Sequence, residues 1–439
     1  MQLNPEQRLA VEHTEGPLLI LAGAGSGKTR VMVARIARIL DDKLARPDEI
    51  LAVTFTNKAA RELIDRCRRS VGSDAQRCWV GTFHGIAARL LRRHADRLGY
   101  PPGFSILDPE DQLRVVRGLL KEQGIDPQRV DPAAVLGFID AAKNEARGPG
   151  QCRSDGADPL AEEYAQLYAR YQQQLKRSGA MDFGDLILNV LELFRSCPDL
   201  LAYYRSRFRY IHVDEYQDTN HAQYLLVAAL AANHRNICVV GDDDQSIYTW
   251  RGASIRNILE FERDFPGARV VRLERNYRST RNIIDAAAAV IDHNRERKHK
   301  RMWTDAAPGA PVLVYRAADE RDEAAYVAER IRELRKSGSV AVFYRTNAQA
   351  RVIEEALVRA GIGYVVVGAV RFYERKEVKD VLAYLRFVAN PDDDVSLSRI
   401  LNVPPRGIGS ATVARLVEWA RARGTSMWGA ACDAAFRGS

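Results

Sequence analysis

The chain has 439 residues, of which 46% are hydrophobic and 28% charged, enough for about two to four domains with substantial cores. Its six cysteines (Cys67, Cys78, Cys152, Cys197, Cys238 and Cys432) include no C-x-x-C pair, which argues against a disulfide framework and against a clustered zinc or iron–sulfur site. No apolar stretch approaches the roughly 18 residues of a membrane span, and polar "QLNPEQR" follows Met1 directly, so neither an anchor nor a signal peptide is expected and the expected location is cytoplasmic. The net charge of +8 is modest, but the stretch Arg30–Arg97 holds 15 Lys/Arg against 8 Asp/Glu, a distribution that suits a polyanion partner as well as a solvated helix face.

In chain order, the buried apolar run from Pro17 to Leu21 leads into "AGAGSGKT" and then into a helical pattern beginning near Lys28. Strand, glycine-rich turn and helix in that order form a phosphate loop. Gly23, Gly25 and Gly27, with Ala24 and Ser26 between them, let backbone amides turn onto phosphate oxygens, and the following helix adds the positive end of its dipole. Lys28 is placed to reach the β and γ phosphates and Thr29 to hold magnesium. Ala22 stands where the eight-residue pattern usually has its first glycine.

"EILAVTFT" (49–56), "CWVGTF" (78–83), "YIHVDEY" (210–216), "NICVVGD" (236–242) and "ARVVRLE" (268–274) read as strands, several of them β-branched runs followed by helical patterns, which predicts a parallel sheet. Between about Gly85 and Pro198 strands nearly vanish and helical periodicity predicts an insertion. Alternation resumes with "PVLVYRA" (311–317), "VAVFYRT" (340–346) and "YVVVG" (364–368), a second α/β unit beginning near Asn276, and from about Glu377 the pattern is helical again. The run "IHVDEYQD" brings Asp214 and Glu215 out of a core strand at a sheet's carboxyl end, where α/β proteins bind ligands. Asp214 is the candidate magnesium ligand and Glu215 the base that orients and deprotonates an attacking water. With the phosphate loop, this pair predicts a nucleotide hydrolase.

"LNPEQ" (3–7), "AGAGSGKTR" (22–30), "TFTNKAA" (54–60), "GTFH" (81–84), "MDFGDLI" (181–187), "VDEYQDTN" (213–220), "VVGDDDQSIYTWRGA" (239–253) and "LERNYRS" (273–279) follow one another in an order and spacing that resembles superfamily 1 helicases. Within these the chain looks like the UvrD/Rep/PcrA group of DNA helicases, the Rep type nearest, and the resemblance spans essentially its whole length. It implies a P-loop NTPase of α/β class with two RecA-like parallel-sheet domains, the second incomplete, and helical insertions. The implied boundaries are 1–84 with 198–275 for the first domain, 85–197 for its insertion, 276–376 for the start of the second domain and 377–439 for the start of its own helical subdomain.

The resemblance also implies roles for particular residues. Gln7, expected in a loop before the first strand, offers the paired donor and acceptor that an adenine edge demands, which favours ATP. Arg30 and Tyr277 would flank the base; Gln245 would sense the γ phosphate; Arg278 would act as an arginine finger from the second unit. On the DNA side, Phe55, Phe183, Tyr248 and Trp250 match base-stacking positions, with Thr54, Asn57, Thr82, His84 and Arg251 near the backbone. Each aromatic has a core position as its alternative, which Trp250 escapes because it lies in a polar stretch just after the γ-phosphate sensor. Gly407 and Gly409, in "RGIGSAT", would bare backbone amides to duplex phosphates or simply make a turn, and "RERKHKR" (295–301) reads as a solvated basic face.

The activity so implied is ATP- and Mg2+-dependent 3′-to-5′ translocation on single-stranded DNA and unwinding at junctions with duplex, in repair, replication restart or recombination, with accessory repair or replication proteins as partners. Two later motifs of the group, including another arginine finger, are not found, so the resemblance implies a fragment or a shortened form. An ATP- and DNA-binding module with little unwinding, and the motor part of a recombination helicase-nuclease, are the alternatives.

Overall fold

The computed structural model describes residues 2–152, 159–295, 297–367 and 376–433. They fall into two compact units, Met1–Gly309 with Asp380–Ser439, and Ala310–Lys379.

The first unit is organised by a six-stranded sheet. Its strands are β1 (Leu18–Ala22), β2 (Ile50–Thr54), β3 (Trp79–Thr82), β6 (Tyr210–Val213), β7 (Ile237–Gly241) and β8 (Arg269–Leu273), in the order β3-β2-β6-β7-β1-β8. All pairings are parallel, with Val53 opposite Val213, Val213 opposite Val239, Leu21 opposite Gly241 and Ala22 opposite Leu273. Helices cover both faces, so β1, β2, β6 and β7 are buried along their whole length, the condition under which a parallel strand reads as an unbroken apolar run. One register gives one consequence: the segments leaving β1, β2, β6 and β7 all emerge at the same carboxyl edge.

Between β3 and β6 runs the helical insertion, with helices Pro109–Glu122, Pro132–Asn144, Pro159–Arg177 and Phe183–Ser196. Its core gathers Val116, Leu120, Val135, Ile139, Tyr168, Tyr171 and Leu175. A short parallel pair, β4 (Ser105–Ile106) with β5 (Ala180–Met181), closes it, a feature too brief to show in periodicity. The helices Asp394–Ile400, Ser410–Ala422 and Met427–Cys432 form a further apolar cluster around Leu397, Leu416 and Met427. Arg399 binds Asp380 at 2.8 Å and reaches Asp111 of the insertion at 3.8 Å. Among the described residues no helix is long and apolar enough to cross a membrane.

The segments that follow β8 divide between the two units. Residues 276–309 belong with the first unit: Tyr277 N donates to Gly25 O at 3.0 Å and Asn276 N to Trp303 O at 2.8 Å, which ties the start of the expected second domain to the phosphate loop. The second unit contains helices Glu320–Leu334 and Asn347–Arg359, packed through Ala324, Ala328, Ala350 and Leu357, but 311–317, 340–346 and the described part of 364–368 form no strand. Their apolar pattern is that of strands, yet a strand exists only in a hydrogen-bonded ladder, and these segments have no ladder partner among the described residues. Val314, Phe343 and Val367 are 88%, 93% and 89% exposed.

Candidate nucleotide site and adjoining aromatic face

The phosphate loop turns because Gly25 (φ +71°) and Gly27 (φ +94°) take left-handed backbone conformations that side chains disfavour. Ser26 helps fix the turn, its Oγ donating to Gly23 O at 2.7 Å. Gly27 supplies no capping side chain, so the first amides of helix Lys28–Asp41, which carries Thr29 and exposed Arg30 in its first turn, remain available to an anion. Ala22 ends β1 inside the core, which explains why a small apolar residue is accepted there.

Lys28 Nζ meets Glu215 Oε2 at 2.8 Å. Glu215 itself has φ +49°, a costly conformation for a residue with a side chain, held by the turn that follows β6. Asp214 accepts the Glu215 amide at 3.1 Å; burial, then the neighbouring Glu215 charge, pushes its carboxyl up to about 6 against the pull of Lys28. Asp218 is raised to about 6 by the same two causes, and its Oδ1 is buried with no hydrogen-bond partner among the described residues.

A residue that sequence reasoning passed over joins these carboxylates to the sensor. Gln217 Nε2 donates to Glu215 Oε2 at 2.9 Å, and Gln217 Oε1 accepts the Asp242 amide at 2.9 Å. Asp242 Oδ2 in turn accepts from Gln245 Nε2. Lys28, Glu215, Gln217, Asp242 and Gln245 therefore form one hydrogen-bonded line across the edge of β6 and β7.

The expected basic face at 295–301 is corrected in part. Lys300 is 7% exposed and its ammonium lies 2.7, 2.6 and 2.5 Å from Asp242, Asp243 and Asp244. Arg297 pairs with Asp244 at 3.2 Å, and Lys298 N donates to Asp243 at 2.7 Å. The three carboxylates stand close enough to hold a metal ion, but Lys300 already fills that role. Burial works against the Lys300 charge, and the aspartates more than offset it, holding its pKa above the usual lysine value. The signal for this in the sequence is three adjacent aspartates, too many to bury without a cation.

The residues expected to flank a base lie around the loop. Gln7 is in helix Pro5–Glu12, not in a loop; it completes a capping box with Asn4, and its Nε2 donates to Ser26 O at 2.9 Å. Tyr277 is 48% exposed, which rules out a core position, and its hydroxyl accepts from Asn4 Nδ2 at 2.9 Å. Asn276, read in the sequence only as a domain start, donates to Ala24 O at 2.6 Å and accepts the amides of Arg278 and Ser279, so the Arg278 backbone is seated against the phosphate loop while its side chain is exposed. Met302 covers Gly23 so closely that a Cβ there would overlap its sulfur.

Directly after Gln245 comes the aromatic face. Phe55, from the end of β2, stacks on Tyr248 at 5.1 Å; Trp250 lies 6.2 Å from Tyr248 and is 69% exposed; the Arg251 guanidinium stands 5.0 and 4.6 Å from the two rings. Arg251 O and Gly252 rest on Asn144 of the insertion. Phe183, 49% exposed, packs edge-on to His84 at 5.7 Å, and burial lowers the His84 pKa. Beneath Phe183, wholly buried Lys143 binds Asp182 at 2.6 Å and Asp185 at 2.7 Å, with Tyr171 OH donating to Asp182 at 2.9 Å. Asn57 is exposed on the first turn of its helix, whereas Thr82 spends its hydroxyl capping helix Phe83–His94 through Gly85 N at 3.1 Å. Thr54 is 1% exposed at the end of β2, its hydroxyl buried with no hydrogen-bond partner among the described residues. Gly407 (φ +70°) and Gly409 sit in a turn braced by Asn402, which binds both polar backbone atoms of Ile408, and a Cβ at either glycine would meet open space.

A parallel sheet with a phosphate loop after β1, paired carboxylates after β6 and Gln245 just after β7 defines a P-loop nucleotide-hydrolase fold. The chain belongs to the UvrD/Rep helicase family: residues 3–266 match the UvrD/REP helicase N-terminal domain and residues 271–429 the UvrD-like helicase C-terminal domain. It is 50% identical over 99% of its length to a protein of Staphylococcus epidermidis called ATP-dependent DNA helicase PcrA, and 49% identical over 97% and 99% of its length to proteins of the same name from Bacillus subtilis and Staphylococcus aureus. It spans 60%, 58% and 60% of these relatives' own lengths.

Proposed function

We propose that the chain hydrolyses ATP in response to single-stranded DNA and is the part of a 3′-to-5′ DNA translocase that joins the two events. The observation that carries this reading is the hydrogen-bonded line from Lys28 to Gln245, which ends three residues before the stacked ring of Tyr248. ATP is the substrate that suits the amides of Gly23–Thr29 and the charge of Lys28. Gln7, Arg30 and Tyr277 would hold its base. The residues also fit a magnesium ion: Asp214 and Thr29 would hold it, and Asp218 Oδ1 is a buried acceptor in want of a partner. Bound there, the ion would neutralise charge developing on the phosphates.

Each protein group then has a definite task. Glu215 takes the proton from the attacking water once Lys28 leaves it for phosphate, so the base is freed by the arrival of substrate. Gln217 keeps Glu215 oriented as Lys28 departs. Gln245, held through its Nε2, would turn its oxygen toward the γ phosphate. Arg278 stabilises charge on the transferred group. Trp250, Tyr248 and Phe55 stack on successive bases without reading them, and Arg251 and Asn57 attract the backbone.

The test is Glu215→Gln. It should bind ATP while turning over orders of magnitude more slowly, because the base is lost and phosphate binding remains. Unchanged turnover in the presence of single-stranded DNA would remove the role assigned to Glu215.

A further inference from the structure

Lys300 lies 55 residues after the sensor in sequence, yet its ammonium bonds all three aspartates that precede Gln245. Asp242 is shared: Oδ1 takes Lys300 at 2.7 Å and Oδ2 takes Gln245 Nε2. An amide has one donor end and one acceptor end, so a carboxylate that captures Nε2 also decides that Oε1 faces away from it. Without a cation, three adjacent carboxylates, two of them under 5% exposed, would repel one another or take up protons, and the acceptor that fixes the glutamine would be lost. Arg297 does not replace Lys300, because the carboxylate it binds is Asp244.

The same strand of chain continues to the phosphate loop. Met302 covers Gly23, and Trp303 O accepts the amide of Asn276, whose side chain binds Ala24 O and the Arg278 amide. Residues 297–303 thus fasten the sensor on one side and the finger segment on the other.

We propose that Lys300 is a positioning residue for ATP hydrolysis: by neutralising Asp242, Asp243 and Asp244 it holds the Gln245 amide in its working orientation. This rests on the hydrolytic reading above. It concerns the catalytic step and not substrate affinity, since Lys300 is buried among carboxylates.

The experiment is a double-mutant cycle between Lys300→Met and Gln245→Ala, read as ATP turnover with single-stranded DNA at equal folded concentration. Each single variant should lower kcat about tenfold or more with KM for ATP changed less than about threefold, and the double variant should be no slower than the slower single. Lys300→Arg, which keeps the charge, should recover part of the loss. Lys300→Gln, which keeps a donor and most of the length but not the charge, replaces Lys300→Met in the cycle if that variant fails to fold. A crystal structure of the variant should show Gln245 Nε2 detached from Asp242. Multiplicative losses in the cycle, unchanged kcat, or a Gln245 amide still on Asp242 would overturn the proposal. Wild-type protein that binds ATP without turning it over would instead defeat the hydrolytic reading, and the crystal structure alone would then decide the position of Gln245.

Discussion

The nucleotide end of the sheet and the aromatic face beside it are built by opposite means. At the nucleotide end the polar side chains hold one another: Lys28 with Glu215, Gln245 with Asp242, Lys300 with three aspartates. On the aromatic face Trp250 is 69% and Phe183 49% exposed, Trp250 resting on Tyr248 and Arg251 and Phe183 on His84. Transition-state stabilisation needs dipoles fixed in advance, whereas stacking on an advancing strand needs open rings that any base can cover. The two regions meet between Gln245 and Tyr248, where a shift of the sensor has only two intervening residues through which to reach the rings.

Even the aromatic face has one rigid support, and removing it should have the largest effect on folding. Lys143→Met leaves Asp182 and Asp185 buried without their cation, and losing one partner of a buried ion pair costs about 3–5 kcal/mol. Denaturant unfolding checks this; a loss under about 1 kcal/mol would mean that the pair is no support. Smaller, and confined to binding, is Trp250→Ala: single-stranded DNA affinity should fall by about 1–3 kcal/mol in a fluorescence titration while folding stability is unchanged, the reverse of what a core tryptophan would show.

The smallest effect concerns acid. His212 in β6 is held neutral, its pKa lowered to about 3 by burial and by Arg35. The unfolded chain takes up a proton near 6.5 and the folded chain does not, so the folded state loses stability as pH falls below that value. From pH 7 to pH 6 the loss is about 0.5–1 kcal/mol. Asp214 and Asp218, raised to about 6, contribute with the opposite sign, so the quantity to measure is the difference between wild type and His212→Leu, in which they cancel. A difference that does not change with pH would contradict the neutral assignment.

Much of this contrast is written locally in the sequence. Strands β1, β2, β6 and β7 are legible because a strand buried on both faces leaves an unbroken apolar run, and the phosphate loop because its glycines and Lys28 have fixed spacing. Trp250 is legible from its polar neighbours. Lys300, Met302, Asn276 and Gln217 are not, since each matters through a partner distant in sequence or through one orientation of an amide. Thr54 stands in a motif of the DNA side, and a motif does not say whether a hydroxyl is covered in a strand buried on both faces. The segments 311–317 and 340–346 show the converse: pattern records what a strand would bury, while pairing depends on neighbours.

In the proposed function, the aromatic face and the nucleotide site act on each other through the Gln245–Trp250 segment. The most direct measurement is the ratio of ATP turnover with saturating single-stranded DNA to turnover without it, in wild type and in Trp250→Ala. A ratio well above one is expected in wild type, falling several-fold in the variant while DNA-free turnover stays within about twofold. A variant that keeps the wild-type ratio at saturating DNA, despite binding more weakly, would contradict it.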